Sequence, residues 1–334
     1  GLGDNAVVVL GSRLDHDEPR GHLVVAGIPQ PEVARRRSAR LRLLPHRGFP
    51  LADLVDLERS DLAGDSAGSA AGKCVLARDD DAPDAAAVMT THSETSTGAL
   101  HDIKALSEVV HETLPDALFL VDCVTSLSAT ELRPKDWGLD GMFSGSQKGL
   151  MLPPGLGFAW LSERAWARSE GLTPSFYLDL RKERRRQQEG QTAYTPAVNL
   201  IYGLETALNM LLEEGLANVW QRRERNNHAL IKGAEALGCR AYAERSSPAV
   251  AALYAPEGID APAIVKGFAG RGARIAGGQD HAKSVMLRPS VLGYADSYDV
   301  ITVVAIFEDV LRGLGQAIAH GQGVSATLQA LNEV

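Results

Sequence analysis

The sequence predicts an α/β protein, with a large domain on a mainly parallel sheet over residues 1–222 and a smaller C-terminal α+β domain over 223–334. Three observations predict it. Short apolar runs alternate with helical patterns through the first two-thirds of the chain. Those runs end in small or polar residues, as buried parallel strands do where they open onto a functional edge. From about residue 240 the pattern changes to short strands mixed with short helices. A chain of 334 residues is long enough for two domains.

The elements follow in order. "NAVVVLG" (5–11), "AAAVMTTH" (85–92), "ALFLVDCV" (117–124) and "GMFSGS" (141–146) read as buried strands. Between the second and third, "DIKALSEVVHETL" (102–114) has helical spacing, with Ile103, Leu106, Val109 and Val110 on one face. Strand, helix, strand in this rhythm predicts a parallel sheet with helices on its faces. Residues 194–238 form a long helical region whose expected buried stripe is Leu200, Leu204, Leu208, Leu211 and Leu212. The segment 12–84 is less regular. Its arginine cluster at 34–42 is expected to be a solvated face, and its small-residue stretch at 63–73 a surface loop.

Composition narrows the function. A net charge of −8 offers no general attraction to nucleic acid or to an anionic membrane, so neither partner is expected. No apolar run approaches the ~20 residues that span a bilayer. Cys74, Cys123 and Cys239 are odd in number and widely spaced, with no CxxC pair. They predict neither a metal site nor a disulfide framework, and a reduced, cytoplasmic protein is the default.

The stretch "SGSQKGLMLPPG" (144–155) sets one lysine, Lys148, between a small-residue turn and a Pro-Pro-Gly run. A lysine that forms a Schiff base needs such a tight, partly dry pocket, because desolvation frees the nucleophilic amine. Asp122 ends a buried strand, where a lone carboxylate is costly unless paired. It is either a turn residue or the partner of a cation such as a pyridinium nitrogen. Thr95, Ser96 and Thr97 crowd hydroxyls at the end of another strand, where they bond a polar ligand group or cap the next helix. His92 is expected to be structural. Gln147, beside the lysine, is able to donate to a phosphate oxygen. Arg288 lies in an apolar strand of the second domain, suited to clamping a carboxylate or to an interdomain ion pair.

Taken in order, "THSETSTGALHDI", "LVDCVTSLSATELRPKDWGLDGMFSGSQKGLMLPPGLGF", "SFYLDL", "QTAYTPAVNLIYGL" and "RIAGG…MLRPSVLGY" closely resemble the class V aminotransferases. These are fold-type I enzymes that use pyridoxal 5′-phosphate (PLP), in the alanine/serine–glyoxylate group. The resemblance runs from about residue 85 to the C-terminus. It implies that Lys148 bonds the cofactor and shuttles the proton between Cα and C4′. It implies Asp122 on the pyridinium nitrogen, Ser96 and Thr95 at the ring, and Gln147 at the phosphate. Thr195, with Tyr194 and Thr192, is implied to reach the phosphate of a neighbouring subunit, in a homodimer with shared sites. Arg288 is implied to bind the substrate α-carboxylate. The expected activity is transfer of an amino group from a small amino acid to a 2-oxo acid such as glyoxylate.

The pattern also departs from the family. No glycine-rich turn of the type G-S-G-T-G-A-M-E is visible, and the chain opens at Gly1 without an initiator methionine. A family segment carrying that turn is therefore expected to precede Gly1. Where the family stacks an aromatic residue on the cofactor, residues 11–23 offer His16 or His22. "RPSVLG" places Pro289 and Val291 where the family often reads R-I-G-H-M-G. Two other readings stay open at this point: a PLP-dependent lyase or other biosynthetic enzyme, and a degenerate, non-catalytic homologue.

Overall fold

The structure is a computed structural model that describes residues 8–11, 85–171 and 176–333. The arginine cluster at 34–42, the stretch at 63–73, Cys74, His16 and His22 lie outside the described residues.

In the first half of the chain the strands are β1 (Val8–Gly11), β2 (Ala87–Thr91), β3 (Ser93–Glu94) and β4 (Ala99–Leu100). Helix α1 (Ile103–Thr113) follows, then β5 (Leu118–Asp122), β6 (Gly141–Gly145) and β7 (Leu156–Leu161). Five of them form one sheet in the order β1-β7-β6-β5-β2. β2, β5 and β6 run parallel, while β7 runs against both β6 and β1. Four of the five strands therefore point one way, as the mainly parallel expectation requires.

The register puts Thr91, Asp122 and Phe143 side by side at the carboxyl edge. Helix α1 closes one face. Ile103, Leu106 and Val110, at helical spacing, pack on Phe119, Val121 and Cys123. Asp102 starts the helix by accepting the amide of Ala105 at 3.1 Å, so the cap falls to this aspartate and not to Thr95, Ser96 or Thr97.

Two short helices, α2 (Glu163–Arg168) and α3 (Leu180–Gln188), precede α4 (Val198–Glu214) and α5 (Leu216–Ala236). The expected single helical region is thus two helices, parted at Gly215, whose φ of +84° suits glycine. The predicted stripe is corrected too. Leu200, Leu204, Ala207 and Leu211 face Leu150, Leu152, Leu156 and Phe158, whereas Leu208 and Leu212 are 42% and 68% exposed. They flank the buried stripe of α4, where the apolar pattern runs on past the residues that reach the core.

The rest of the chain adds β8 (Arg240–Ala241), β9 (Leu253–Tyr254), α6 (Ala261–Ala269), β10 (Ala276–Gly277), β11 (Met286–Arg288), α7 (Ser297–Gly313) and α8 (Gln322–Asn332). The strands make a separate antiparallel sheet in the order β10-β11-β9-β8. Its core joins Leu253 and Leu287 to Ile264, Phe268, Val304, Phe307 and Leu311. Helices α5 and α8 approach so closely at Gly233 that an added Cβ would lie 2.1 Å from Thr327 Oγ1. The expected division at 222/223 falls inside α5, which packs on both halves.

Candidate active site

Lys148 sits in the connection between the antiparallel strands β6 and β7. Buried Ser146 holds that loop. Its amide donates to Leu156 O (3.0 Å), its hydroxyl donates to Pro153 O (2.7 Å), and its carbonyl accepts from the amide of Leu152 (3.1 Å). Lys148 O accepts from the amide of Met151 at 3.0 Å. The Pro-Pro-Gly run thus folds back over the turn, and Lys148 is left half-buried.

Asp122 ends β5 beside it. Its Oδ1 accepts the amide of Val124 at 2.8 Å. Burial pushes this carboxyl above the ordinary range; the Val124 hydrogen bond opposes that, the Glu94 charge adds to it, and the Lys148 charge opposes it. Asp122 is therefore an incompletely compensated anion with a lysine as its cationic neighbour.

Arg288 reaches in from β11 of the other sheet. Its Nε donates to Gly277 O at 2.7 Å, and its Nη1 donates to Thr95 O at 2.9 Å. Burial lowers its pKa, and Glu94 counters with its charge. Thr95 in turn shares a 2.5 Å hydrogen bond, Oγ1 to Oγ1, with buried Thr125 in the loop after Asp122. Lys148 thus acts on Asp122 through its charge, and Arg288 is tied through Thr95 and Thr125 to the loop that follows Asp122.

Other expected residues are arranged differently. The Ser96 hydroxyl and amide both donate to Glu94 Oε1 at 2.7 Å, so this hydroxyl is held by a neighbouring carboxylate. Gln147 is exposed, its side chain folded back over Gly145. Tyr194 accepts from Lys182 Nζ (3.1 Å), donates to Phe176 O, and stacks on Tyr177 at 4.6 Å between centroids. The Thr192 hydroxyl donates to Tyr194 O. Thr195 is exposed at the start of α4. Among the described residues, no hydrogen bond joins Tyr194 to Lys148, Asp122 or Arg288. His92 is buried, edge-on to Trp137 at 6.2 Å, and its Nδ1 has no partner among the described residues.

Sequence reasoning missed Glu94, Thr125 and Arg223. Glu94 and Thr125 lie in the quoted runs, and their polar side chains at strand ends were the available signal. Arg223 stands on the buried stripe of α5 with Val219, Asn226, Asn227 and Leu230, so a charged residue at an apolar-phase position was its signal.

An amine on a hairpin loop, a half-buried carboxylate at a strand end and an arginine from a second sheet are set on an α/β fold of type I. The chain belongs to the class V aminotransferases: the family "Aminotransferase class-V" matches residues 74–301. It is 42% identical over 251 residues to the soluble hydrogenase small subunit of Synechococcus sp. (strain PCC 6716), covering 74% of this chain. It is 32% identical over 257 residues to serine–glyoxylate aminotransferase of Methylorubrum extorquens, again covering 74%. The chain spans just under two-thirds of the length of these curated relatives, 65% and 64% respectively. Among solved structures, an aspartate aminotransferase of subgroup IV from Thermus thermophilus matches with a TM-score of 0.65 and 42% identity, over 70% of this chain and 67% of that one.

The residues present fit the family's cofactor. The uncompensated Asp122 carboxylate asks for a cation, which a pyridinium N–H supplies, and Lys148 offers the amine for a covalent bond.

Proposed function

We propose that the chain is a PLP-dependent aminotransferase, moving an amino group from a small amino acid of the alanine or serine type to a 2-oxo acid such as glyoxylate. The observation that carries this reading is a half-buried Asp122 carboxylate at the carboxyl edge on which the Lys148 charge acts, with Arg288 bonded to the Thr95 carbonyl at the end of a neighbouring strand. The Methylorubrum and Thermus relatives are both named as aminotransferases and support it. The Synechococcus relative bears a hydrogenase name; our reading rests instead on an amine set beside a carboxylate.

PLP, when bound, supplies an electron sink that lets the Cα–H bond of an amino acid ionise. Asp122 holds the protonated ring nitrogen. Thr95 lines the ring, and Ser96 joins it only after releasing Glu94. Gln147, which lies over Gly145, would hold the phosphate. Arg288 takes the substrate carboxylate, which orients the Cα–H bond toward Lys148. The Lys148 amine then removes the Cα proton and later returns one. A base within reach of its proton contributes ~100- to 10,000-fold.

The same reading makes the protein a homodimer. Val198, Ile201, Tyr202, Leu208 and Leu212 give α4 an exposed apolar face, and exposed Thr195 precedes it. Thr195 and Tyr194 then serve the partner's phosphate. Residues 1–222 bind the cofactor and 223–334 close over the substrate. A cytoplasmic setting belongs to this reading, supported by the free, buried Cys123 and Cys239. Among the described residues no helix is long and apolar enough to cross a membrane.

The test is an absorbance spectrum with added PLP, before and after borohydride, followed by peptide mapping. A visible band and a reduced adduct on Lys148, both lost in Lys148→Ala, are expected. Glycine should then form from glyoxylate with an amino donor present. Absence of the adduct at saturating cofactor sinks the reading, and product formed without any 2-oxo acid turns it into a lyase.

A further inference from the structure

The most buried cation in the described structure belongs to none of the roles above. Arg223, in the middle of α5, has no exposed surface. A guanidinium stripped of water is costly unless an anion or a full set of acceptors replaces the water. No carboxylate is bonded to it among the described residues. Glu214 acts on it only at a distance and is itself bonded by Arg222, at 2.6 and 2.8 Å. Burial pulls the group down to about 10, which leaves it charged at neutral pH.

Its partners explain why the charge is there. Nη1 donates to Ser128 Oγ at 3.2 Å, and Nη2 donates to the carbonyls of Gly149 and Gly293, each at 3.1 Å. Ser128 belongs to the loop that follows Asp122. Gly149 is the residue after Lys148. Gly293 ends the "RPSVLG" run that begins at Arg288. One side chain thus fastens the three loops that supply the three chemical groups of the site.

The packing around it has no slack. A Cβ on Gly149 would lie 2.4 Å from Leu127 O, 2.4 Å from Ser128 Oγ and 2.8 Å from Arg223 Nη1. Ser128 itself sits at φ +62°, a strained conformation for a residue with a side chain. A methionine of similar length would fill the volume without burying a charge. What it would not do is orient two carbonyls and a hydroxyl.

We propose that Arg223 is a positioning residue of the PLP site, setting the direction of Lys148 through the Gly149 carbonyl and holding the Asp122 and Arg288 loops in register with it. The inference rests on the reading of Lys148 as the cofactor-bonding residue.

Two variants of the full PLP-loaded chain test it, Arg223→Lys and Ser128→Ala, and both preserve the charge. The decisive readout is the pH midpoint at which the absorption of Lys148-bound PLP changes form. A loosened Lys148 is held less closely to the Asp122 carboxylate, so the midpoint falls by roughly half a unit or more in Arg223→Lys and by less in Ser128→Ala. In steady-state assays kcat falls about 10- to 100-fold in Arg223→Lys, and by more than KM rises. A residue that only stabilised the fold would lower Tm and leave midpoint and kcat in place. That result, in a folded variant with its Lys148 adduct intact, overturns the proposal. If Arg223→Lys does not fold, the midpoint of Ser128→Ala decides alone. A wild-type chain with no borohydride-stable adduct on Lys148 instead brings down the site reading itself.

Discussion

Arg288 Nη1 donates to the backbone carbonyl of Thr95 at 2.9 Å, and this hydrogen bond joins the second sheet to the carboxyl edge of the first. It leaves the guanidinium with Nε bound to Gly277 O at 2.7 Å and with Nη2 unbonded among the described residues. A carboxylate arriving there meets an already oriented cation. Arg288→Lys should therefore raise KM for the amino donor roughly 10- to 100-fold, the worth of one charged hydrogen bond. Initial rates over a donor concentration series measure it. An unchanged KM would remove Arg288 from substrate binding and leave it as a tie between the sheets.

Asp122 gives a prediction about the cofactor-free chain. Its carboxyl is raised by burial, with Glu94 adding to the shift, so the folded state holds the proton more tightly than the unfolded one. Stability from this group is fully present below the ordinary carboxylate range and is lost as pH rises through the folded value. At neutral pH the ionised Asp122 is thus a net cost. Asp122→Asn keeps an acceptor for the Val124 amide and removes the charge. Without PLP it should be more stable than wild type at pH 7, by about 1 kcal/mol, a common size for a point substitution. With PLP the order should reverse. Melting curves with and without cofactor decide, and equal stabilisation of both proteins by PLP would refute the pyridinium role.

The parts legible in the sequence are those where one residue type answers one physical demand. Lys148 stood out because its neighbours shape a loop no surface lysine needs. Asp122 stood out because a strand end buries its carboxylate, and α1 because its apolar residues share one face. Where two demands compete, the sequence was silent. The apolar residues of α4 extend beyond its buried stripe, so its pattern could not tell Leu211, in the core, from Leu212, on the surface. Ser96 has a carboxylate two residues away, and Glu94 takes its hydroxyl. Tyr194 goes to an aromatic cluster with Lys182, a contact between segments that no local pattern encodes. Arg223 was legible only as a charge out of phase on the buried stripe of α5; its partners, one hydroxyl and two backbone carbonyls on three separate loops, leave no mark in a sequence.

His92 predicts the acid limb of stability. It is 3% exposed, and burial first, then the charges of His101 and Arg245, lower it to about 4, with Asp102 opposing. The folded state refuses a proton that the unfolded state accepts. The stability this group secures is fully present above about pH 6.5 and is lost as pH falls toward 4, by up to about 3 kcal/mol. His92→Phe keeps a ring against Trp137 and removes the titration. Urea unfolding between pH 7 and pH 4 should show a flatter profile for the variant. Parallel profiles would mean that His92 takes its proton in the folded state.

The exposed face of α4 predicts the assembly. Leu200, Leu204, Ala207 and Leu211 already serve the core, and Leu200 lies against Gly155, at the end of the lysine loop. Beside that stripe Tyr202 and Leu212 are 67% and 68% exposed, with Val198, Ile201 and Leu208 between and beside them. Exposed apolar residues gathered on one face of a helix mark a surface that a partner covers, and a second copy covering this face would also meet Thr195 at its start. Tyr202→Glu with Leu212→Glu should weaken dimerisation about 100-fold, close to 3 kcal/mol. Because Thr195, which serves the partner's phosphate in this reading, stands at the start of the covered face, PLP affinity should fall with it. Sedimentation velocity of both proteins over a concentration series, with cofactor titrations alongside, reads the two effects together. A wild-type monomer would discard the shared-site arrangement. A variant that stays dimeric with weakened PLP binding would move the interface elsewhere and leave α4 as a support for the lysine loop alone.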